Sequence, residues 1–598
     1  MNPEPLQPCP LLVLQRSDLA YLSEHAQRFE GTPLLFLDPG LLDEAAVRGL
    51  KGLTFRRIES GPDFQARVTA EAITLATLLD LRLTAERQRL WPDEPVQGWD
   101  VGLFFLALWR LGVVRQYGTR LASTFAEPRI GLLRPRVPQQ AFFDSFLGPD
   151  LLLAQDPERF HVVDGYDAVQ WARPEACAEV IDGPALRDAM RDRGASLVSH
   201  VPTCFYDHTW LLEEVARAHP QSIDLPAPIW DVPLHRGAPV LHLIDSAPPA
   251  HLAQARCYAD RAVPVLHELL SDLLPLPHSR ARQLQAWADR CRWQALNYLA
   301  LREGLAGCQP AFLLADQDVG LNGPLFSVAA ALGSEITVVP HSGYSSMLTP
   351  HGRRVTVVDR AGWGTHCRTV LGQAVVMRAV RMRPPLPRRR PQRVTRLCLM
   401  LNSMQTEGLS YVDAPALAAF HRSLAALCQS HGIELVLRAK PGAPALSVLS
   451  WLLGKPADDL IRHVRQPLPE LAADCEMCVA FGEPTTGVAA FLETGSLVLQ
   501  VCPQHWPTDF MVSLPLIHDG VIALLNPVDG LEHIQRLLAD PLAFAEACER
   551  QAAAFESRTQ FAHDHLFDAV AAGQVPISLP AQGVQVARLP ETTEAGIA

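Results

Sequence analysis

An apolar strand pattern that runs into a polar loop bounded by glycines, and then into a helix, constrains this chain more than any other feature. Residues 477–481, Met-Cys-Val-Ala-Phe, lead into Gly-Glu-Pro-Thr-Thr-Gly at 482–487. A helical pattern follows over 488–494 and stops at Gly495, before another apolar strand pattern at 497–501. This βαβ arrangement predicts a parallel sheet with its polar loop at the carboxyl end of a strand.

A second strand pattern of the same kind lies upstream. Residues 433–438 run into Ala-Lys-Pro-Gly at 439–442. Ligands of open parallel sheets bind in the crevice outside the carboxyl ends of the strands, and a helix N-terminus offers free N–H groups to an anion. We therefore interpret residues 433–501 as one half of a nucleotide-sugar site.

Size and composition limit the alternatives. A chain of 598 residues exceeds one hydrophobic core and should divide into two to four domains. Its 48% hydrophobic and 19% charged residues describe a folded protein. The net charge of −12 argues against a general nucleic-acid binder, which would carry a basic surplus. We expect no nucleic-acid partner.

Sequence features also predict a cytoplasmic location. Residues 1–15 lack the basic and apolar regions of a signal peptide, and the apolar run 101–114 is too short to span a bilayer and contains Arg110. Thirteen cysteines, an odd number scattered over a long chain, fit a reducing compartment better than a disulfide framework.

The clearest boundary is an Arg- and Pro-rich stretch that begins at Arg378 and ends at Arg396. Prolines cannot supply the N–H groups that a helix or a central strand needs, so this stretch is predicted to be a linker, with its core at 386–395. It could be a solvated connector, or a basic patch that contacts anionic lipid at the inner membrane or an anionic glycan.

The linker separates two predicted α/β domains. Residues 396–572 alternate strand and helix patterns, and 573–598 are predicted to be a loose tail. Residues 1–385 begin and end with strand patterns around a helical insertion at about 64–150. We predict an α/β fold of two Rossmann-like domains that face each other across a cleft.

The first domain has its clearest pattern over residues 311–351. The strand pattern 311–315 ends at Asp316 and Asp318, and the strand pattern 336–339 ends at Pro340 and His341. His341 and Asp316 are thus predicted to lie on the rim of the first domain's sheet. Each has a simpler explanation, because a rim histidine can be a satisfied structural residue and a loop aspartate often caps its own turn.

The segment around Pro340-His341-Ser342-Gly343 and the segments 435–444 and 473–501 resemble bacterial surface-polysaccharide glycosyltransferases of the GT-B class. That class includes capsule and lipopolysaccharide transferases that use CMP-activated keto-acid sugars, and it is related to CDP-glycerol glycerophosphotransferases. The resemblance covers residues 312–355 and 397–538. It implies transfer of a sugar from a nucleotide donor to a glycan or glycolipid acceptor.

The resemblance also implies roles for individual residues. Thr485 and Thr486 would hold the donor phosphate, Lys440 would neutralise it, and Glu483 or Glu493 would accept hydrogen bonds from ribose or sugar hydroxyls. This chain departs from the family at two places: it has Lys-Pro where the family commonly has His-Pro, and two threonines where it often has two serines.

The implied chemistry needs no metal cofactor. Preorganised N–H groups, hydroxyls and a lysine can stabilise the charge that develops on a departing nucleotide. An inverting enzyme would also need a base, which His341 or Asp316 could provide, whereas a retaining enzyme would not need one in the same way. The sequence leaves both paths open.

Several alternatives remain at this stage. The threonines could simply cap a helix, Lys440 could be an exposed loop lysine, and Glu493 could be solvated or paired. Cys475 and Cys478, followed by Cys502-x-x-His505, have a spacing found in zinc sites, although Cys478 and Cys502 fall in predicted buried strands. The chain could also be a polyol-phosphate transferase, a nucleotide-sugar epimerase or a non-catalytic binding protein of the same fold.

Overall fold

The structure is a computed structural model of the 598-residue chain. The description below covers residues 9–36, 39–55, 64–99, 108, 112, 126–135, 147–166, 180–200, 209–225, 243–244, 247–273, 277–315, 322–339, 355–359, 377–381, 388–401, 414–439, 449–450, 453–456, 459–460, 466–482, 485, 487–503, 515–518, 520–558, 563–572 and 575–577.

The first sheet consists of five parallel strands near the amino terminus. They are β1 (Leu11–Val13), β2 (Leu34–Phe36), β3 (Leu53–Phe55), β4 (Ile130–Pro135) and β5 (Phe160–Tyr166). Their order is β3-β2-β1-β4-β5. Strand addition therefore reverses between β1 and β4, as it does in half of a Rossmann sheet. A separate antiparallel ribbon joins β6 (Val180–Ile181) to β9 (Leu243–Ile244).

The second sheet lies in the middle of the chain. Its strands are β7 (Leu197–His200), β8 (Ile223–Asp224), β10 (Ala311–Ala315), β11 (Ile336–Val339), β12 (Val355–Asp359), β13 (Met377–Arg381) and β19 (Val575–Ile577). The order is β19-β13-β12-β11-β10-β7-β8, and only β19 is antiparallel to its neighbour within this described sheet. The switch point, where the direction of strand addition reverses, falls between β7 and β10.

The third sheet has five parallel strands. They are β14 (Arg396–Leu401), β15 (Glu434–Arg438), β16 (Met477–Phe481), β17 (Leu497–Val501) and β18 (Ala523–Leu525). The order β15-β14-β16-β17-β18 has its switch point between β14 and β16. The second and third sheets therefore share one topology, apart from the extra strands β13 and β19 at one edge of the second.

The helices connect and cover these strands. They are α1 (Arg16–Glu24), α2 (Pro39–Val47), α3 (Phe64–Leu90), α4 (Leu147–Gln155), α5 (Gly183–Arg193), α6 (Thr209–Ala218), α7 (Pro249–Leu270), α8 (Pro277–Gly304), α9 (Asn322–Leu332), α10 (Ala414–Ser430), α11 (Leu468–Asp474), α12 (Val488–Thr494), α13 (Pro515–His518), α14 (Pro527–Ala539), α15 (Pro541–Arg558) and α16 (Leu566–Ala572), with a 3-10 turn at Ser271–Leu273. Among the helices in these ranges, none is both long enough and apolar enough to cross a membrane.

Hydrophobic packing joins the first two sheets and gives the third its own core. One cluster contains Leu12 and Ile130 of the first sheet, Val198 and Phe312 of the second, and residues of α3, α7 and α8 between them. The third sheet is buried on both faces, because alternate residues of β14 enter two different clusters. This explains why its strands are continuous apolar runs.

The structure confirms the predicted α/β class and its Rossmann-like parallel sheets. The predicted strands 311–315, 336–339, 477–481 and 497–501 and the helix 488–494 are found with the same bounds. Residues 1–385 contribute strands to two sheets of mainly parallel strands, although the sequence indicated one. Residues 130–135, inside the stretch predicted to be helical, form β4 because they pair with both β1 and β5.

The Arg- and Pro-rich stretch is less of a free connector than the sequence suggested. Residues 378–381 belong to β13. Arg389 Nη2 donates to the carbonyl oxygens of Ala472 at 2.8 Å and Cys475 at 2.7 Å. Arg388 is paired with Glu556. These two arginines therefore fasten the segment to helices α11 and α15, which pack against the third sheet, while Arg390 and Arg393 are exposed.

The carboxyl-terminal tail also contains a strand. Val575–Ile577 pairs with β13 at the edge of the second sheet, and Pro576 lies in the middle of it. Proline is tolerated in an edge strand because one side of that strand needs no N–H donor. The three-residue pattern Val-Pro-Ile was too short to predict this pairing.

Candidate functional site

The Gly-Glu-Pro-Thr-Thr-Gly loop begins at the switch point of the third sheet. At the carboxyl ends of β14 and β16, Leu401 is paired with Phe481, and the loop begins with the next residue, Gly482. Gly482 has a φ of 83°, in the left-handed region that favours glycine. The chain can therefore turn away from the sheet directly after the strand.

Thr485 is the central described residue of this loop, and it is half-buried. Its Oγ1 accepts a 3.3 Å hydrogen bond from the N–H of Gly487, and its carbonyl oxygen accepts one of 3.4 Å from Val488. The hydroxyl thus tightens the turn just before α12, whose N-cap residue is Gly487 and has no side-chain capping hydrogen bond. A hydroxyl that accepts through its oxygen still carries a proton that it can donate to an anion.

Four residues form a row across the third sheet at its carboxyl edge. Arg438 of β15 pairs with Met400 of β14, Met400 with Ala480 of β16, and Ala480 with Gln500 of β17. Cross-strand partners in a sheet point to the same face, so the guanidinium and the amide extend from the same face as Met400. Both polar residues are buried, Gln500 almost completely.

Arg438 brings a positive charge to this edge. Its Nη1 donates a 2.9 Å hydrogen bond to the carbonyl oxygen of Gln466. Burial lowers the pKa of the guanidinium from its usual value, but arginine remains charged in proteins. Arg438 directly precedes Ala439 and the predicted phosphate ligand Lys440 in sequence. The carboxyl end of β15 is therefore cationic.

Gln500 is a site feature that the sequence analysis missed. It lies within a strand whose five residues are all buried, and its Nε2 donates to the carbonyl oxygens of Ala480 and Gly482. The sequence did contain a signal, because an amide in a fully buried strand must find hydrogen-bond partners. The partners that Gln500 finds are at the start of the loop.

Of the residues predicted for the site, only Thr485 and Glu493 lie within the described part of the chain. Glu493 is in the last turn of α12, at the opposite end of the helix from the loop. At about 1.5 Å per residue, it is roughly 8 Å along the helix axis from the first residue of α12. Asp316, His341, Lys440, Glu483 and Thr486 lie outside the described residues.

The switch point of the second sheet carries two buried ionisable side chains that the sequence did not reveal. His200 ends β7 and is paired with Leu314 of β10, while Asp224 ends β8. Burial lowers the pKa of His200 to about 4. Burial also raises the pKa of Asp224 to about 7, although a hydrogen bond from Ser199 lowers this pKa by a smaller amount. His200 is therefore neutral at physiological pH, and Asp224 keeps its proton to a higher pH than an ordinary aspartate does.

The cysteines of the third sheet behave as apolar residues. Cys398 and Cys478 are cross-strand partners with no exposed surface, and Cys475 is also fully buried. Burial raises the pKa of Cys475 and of Cys478 well above that of a free thiol. Within the described ranges, no three His, Cys, Asp or Glu side chains come together as metal ligands. The predicted fourth partner, His505, is outside them.

Comparison with known proteins gives distant structural likenesses. No protein-family model and no curated protein sequence matches the chain. The glycotransferase of kitacinnamycin is 15% identical, with 61% of this chain and 95% of that chain covered and a TM-score of 0.33. MurG of Acinetobacter baumannii is 10% identical, with 61% of this chain and 98% of that chain covered and a TM-score of 0.31. The spinosyn rhamnosyltransferase SpnG complexed with thymidine diphosphate is 16% identical, with 60% of this chain and 96% of that chain covered and a TM-score of 0.31.

Proposed function

We propose that this chain is a glycosyltransferase that binds a nucleotide-activated sugar at the switch point of its third sheet. One observation carries the proposal: the loop that contains Thr485 leaves β16 at the point where β14 and β16 adjoin. In open parallel sheets, this crevice outside the strand ends is where ligands bind. The cationic end of β15, with Arg438, lies across the same edge and suits an anionic nucleotide.

The donor phosphate would be held by groups from both loops. Thr485 and Thr486 would donate their hydroxyl protons, and Lys440 would supply a point charge. Glu483 or Glu493 would accept from ribose or sugar hydroxyls, with Glu483 favoured because Glu493 lies at the far end of α12. As the glycosidic bond to the nucleotide breaks, negative charge grows on the departing phosphate, and these donors would stabilise it.

The second sheet would supply the acceptor side. Asp316 follows β10 directly, and His341 follows the last residue of β11 by two positions. Because β10 and β11 are adjacent and parallel, residues that follow them leave from the same edge of the sheet. Either side chain would serve as the base that takes the proton of the attacking hydroxyl in an inverting reaction.

The donor and acceptor are proposed from the sequence resemblance. The donor would be a CMP-activated keto-acid sugar, and the acceptor a growing surface glycan or glycolipid. The reaction would take place in the cytoplasm at the inner membrane, where Arg390 and Arg393 are free to meet anionic lipid headgroups. A polyol-phosphate transferase would use the same nucleotide-binding edge, and so would a nucleotide-sugar epimerase.

A thermal-shift screen tests the donor site. Purified protein is heated with CMP, CDP, UDP, GDP and their sugar derivatives, because a ligand that binds the folded state raises the melting temperature by mass action. We expect one nucleotide to stabilise the protein at micromolar to millimolar concentration. If no nucleotide binds, the chain is a non-catalytic protein of this fold and the proposal is wrong.

Product analysis then separates the enzymatic alternatives. A glycosyltransferase releases free nucleotide only when an acceptor is added, whereas an epimerase changes the sugar and keeps the nucleotide attached. A polyol-phosphate transferase also releases a nucleoside monophosphate, but it consumes a CDP-polyol instead of a nucleotide sugar. Chromatography of the nucleotide pool, with each donor supplied separately and with and without a glycolipid extract as acceptor, distinguishes these three results.

A further inference from the structure

Gln500 is a buried amide that connects β17 to the start of the candidate donor loop. Only 1% of its surface is exposed, and the other residues of β17 are apolar and also buried. Its Nε2 donates a 3.2 Å hydrogen bond to the carbonyl oxygen of Ala480 and a 2.9 Å hydrogen bond to that of Gly482. A buried amide is costly unless it is hydrogen-bonded, so its two partners account for its presence there.

The hydrogen bond from Gln500 to the carbonyl oxygen of Gly482 reaches a residue just past the end of β16. Gly482 follows the last residue of β16, and its N–H donates to the carbonyl oxygen of Val501 at 2.9 Å. Its carbonyl oxygen accepts from Gln500. Both polar groups of the first loop residue are therefore held by β17. The left-handed φ of Gly482 turns the chain from this fixed point.

We propose that Gln500 is a positioning residue for nucleotide binding, an inference that rests on the proposed donor site. By holding Gly482 from the neighbouring strand, Gln500 fixes the direction in which the loop leaves the sheet. Thr485 is three residues further on. A binding group must be held to within about 0.5 Å of its productive position, and supporting hydrogen bonds provide that precision. Gln500 itself touches no substrate.

Replacement by methionine tests the role of the two hydrogen bonds. Gln500→Met keeps an unbranched side chain of similar length but donates no proton. Two lost neutral hydrogen bonds, together with a displaced loop, should weaken nucleotide affinity about tenfold. The probe is the nucleotide among CMP, CDP, UDP and GDP that gives the largest shift with the wild type, measured by titration calorimetry below the melting temperature.

Replacement by glutamate adds a readout that a purely structural role would not produce. A carboxylate at this position would face two carbonyl oxygens without a proton to donate, whereas a protonated carboxyl group can donate to one of them. Burial raises the pKa of such a carboxyl group. Nucleotide affinity of Gln500→Glu, relative to the wild type at each pH, should therefore fall as the pH rises from 5 to 8. The same ratio for Gln500→Met should not change.

Gln551 provides a matched control. It is a buried glutamine of α15 that donates to the carbonyl oxygens of Val498 and Val521 and accepts from the N–H of Val498. Val498 lies in the same strand as Gln500 but two residues further from the carboxyl edge. Gln551→Met should lower the melting temperature and leave nucleotide affinity within about twofold of the wild type, because the hydrogen bonds described for Gln551 are to Val498 and Val521, outside the loop.

The outcomes distinguish this inference from the proposed function. Weaker binding by Gln500→Met, pH-dependent binding by Gln500→Glu and normal binding by Gln551→Met support it. Wild-type affinity in both Gln500 variants overturns it and leaves the donor site intact. Equal loss of affinity in the Gln551 variant also overturns it, because general destabilisation would then be the cause. Absence of binding by the wild type rejects the donor site itself. If Gln500→Met does not fold, the pH series on Gln500→Glu decides.

Discussion

Ser199 Oγ donates a 3.0 Å hydrogen bond to Oδ1 of Asp224 across the paired strands β7 and β8. The pair lies at the carboxyl edge of the second sheet, and both residues are buried. Because Ser199 is neutral, this hydrogen bond only partly offsets the cost of burying a carboxylate, and the pKa of Asp224 is raised to about 7. The second sheet therefore contains a carboxyl group that titrates near physiological pH.

This relationship predicts a pH-dependent effect of Asp224→Asn on stability. An unfolded aspartate titrates at about 3.9, so between about pH 4 and 7 the folded state keeps a proton that the unfolded state releases. The free energy of unfolding of the wild type should therefore decrease as pH rises through that window. Asparagine stays neutral and can still accept from Ser199. The variant should gain a few degrees in melting temperature over the wild type at pH 8.

Calorimetry at pH 5, 6, 7 and 8 checks this prediction. At pH 5 the unfolded wild type has gained only part of the free energy of ionising Asp224, so the two melting temperatures should differ least there. The difference should grow between pH 5 and 7 and level off by pH 8. A difference that is the same at every pH would mean that the pKa of Asp224 is not raised.

The exposed and the anchored arginines near residue 390 should have separable effects. Arg390→Gln combined with Arg393→Gln removes two exposed charges, each worth about 1 kcal/mol of attraction to an anionic membrane. This double variant should bind phosphatidylserine vesicles more weakly at low salt, with an unchanged melting temperature. Flotation of vesicles with and without anionic lipid measures the binding.

Arg389→Met is the counterpart of that variant. It removes the hydrogen bonds of Arg389 to Ala472, Cys475 and Ser496, and hydrogen bonds from a charged group contribute about 1.5–3 kcal/mol. We expect a lower melting temperature and vesicle binding close to that of the wild type. If the wild type and both variants float equally little with vesicles at low and at high salt, the Arg- and Pro-rich stretch is a connector without membrane affinity.

The strands around the candidate site could be predicted because local pattern and burial agree there. Residues 477–481 and 497–501 are short, almost wholly apolar and bounded by loop residues, so their sequence is compatible with few other structures. The carboxyl edge of the third sheet, and thus the location of the loop, followed from that pattern. The position of Thr485 just before a helix also followed from the pattern, whereas its hydrogen bond to Gly487 did not.

Other parts of the fold depend on contacts that are distant in sequence. The strand β8 has only two residues, Ile223 and Asp224, and is defined by its pairing with β7. β13 reads Met-Arg-Ala-Val-Arg, and its two arginines resemble the start of the Arg- and Pro-rich linker. The roles of Gln500 and Asp224 follow from cross-strand partners, which a single sequence does not reveal. Pairing of this kind is set by the tertiary fold more than by local propensity.

His341→Ala should separate catalysis from donor binding. His341 is proposed to act on the acceptor hydroxyl from the second sheet, whereas the donor nucleotide is proposed to bind at the third. The variant should therefore lose turnover by about 10²–10⁴-fold, the usual contribution of a general base, and keep its nucleotide affinity. Steady-state rates and calorimetric titration on the same sample provide both values. Loss of nucleotide affinity instead would assign His341 to the donor site.

The threonine pair provides the most direct test of the donor loop. In Thr485→Ala combined with Thr486→Ala, two hydroxyl contacts to a charged phosphate are lost, each worth about 1.5–3 kcal/mol, so nucleotide affinity should fall by at least about tenfold. The melting temperature should also fall, because Thr485 Oγ1 no longer accepts from Gly487 and a typical intramolecular hydrogen bond contributes about 0.5–1.5 kcal/mol to stability.

Serine at both positions is the matched control for that variant. It keeps both hydroxyls and removes only the methyl groups, so nucleotide affinity and melting temperature should remain near those of the wild type. If the alanine variant melts earlier but binds nucleotide as well as the wild type, the hydroxyl of Thr485 has only a structural role in the turn before α12. The phosphate of the donor would then have to bind elsewhere along the carboxyl edge of the third sheet, nearer to Arg438 and Lys440.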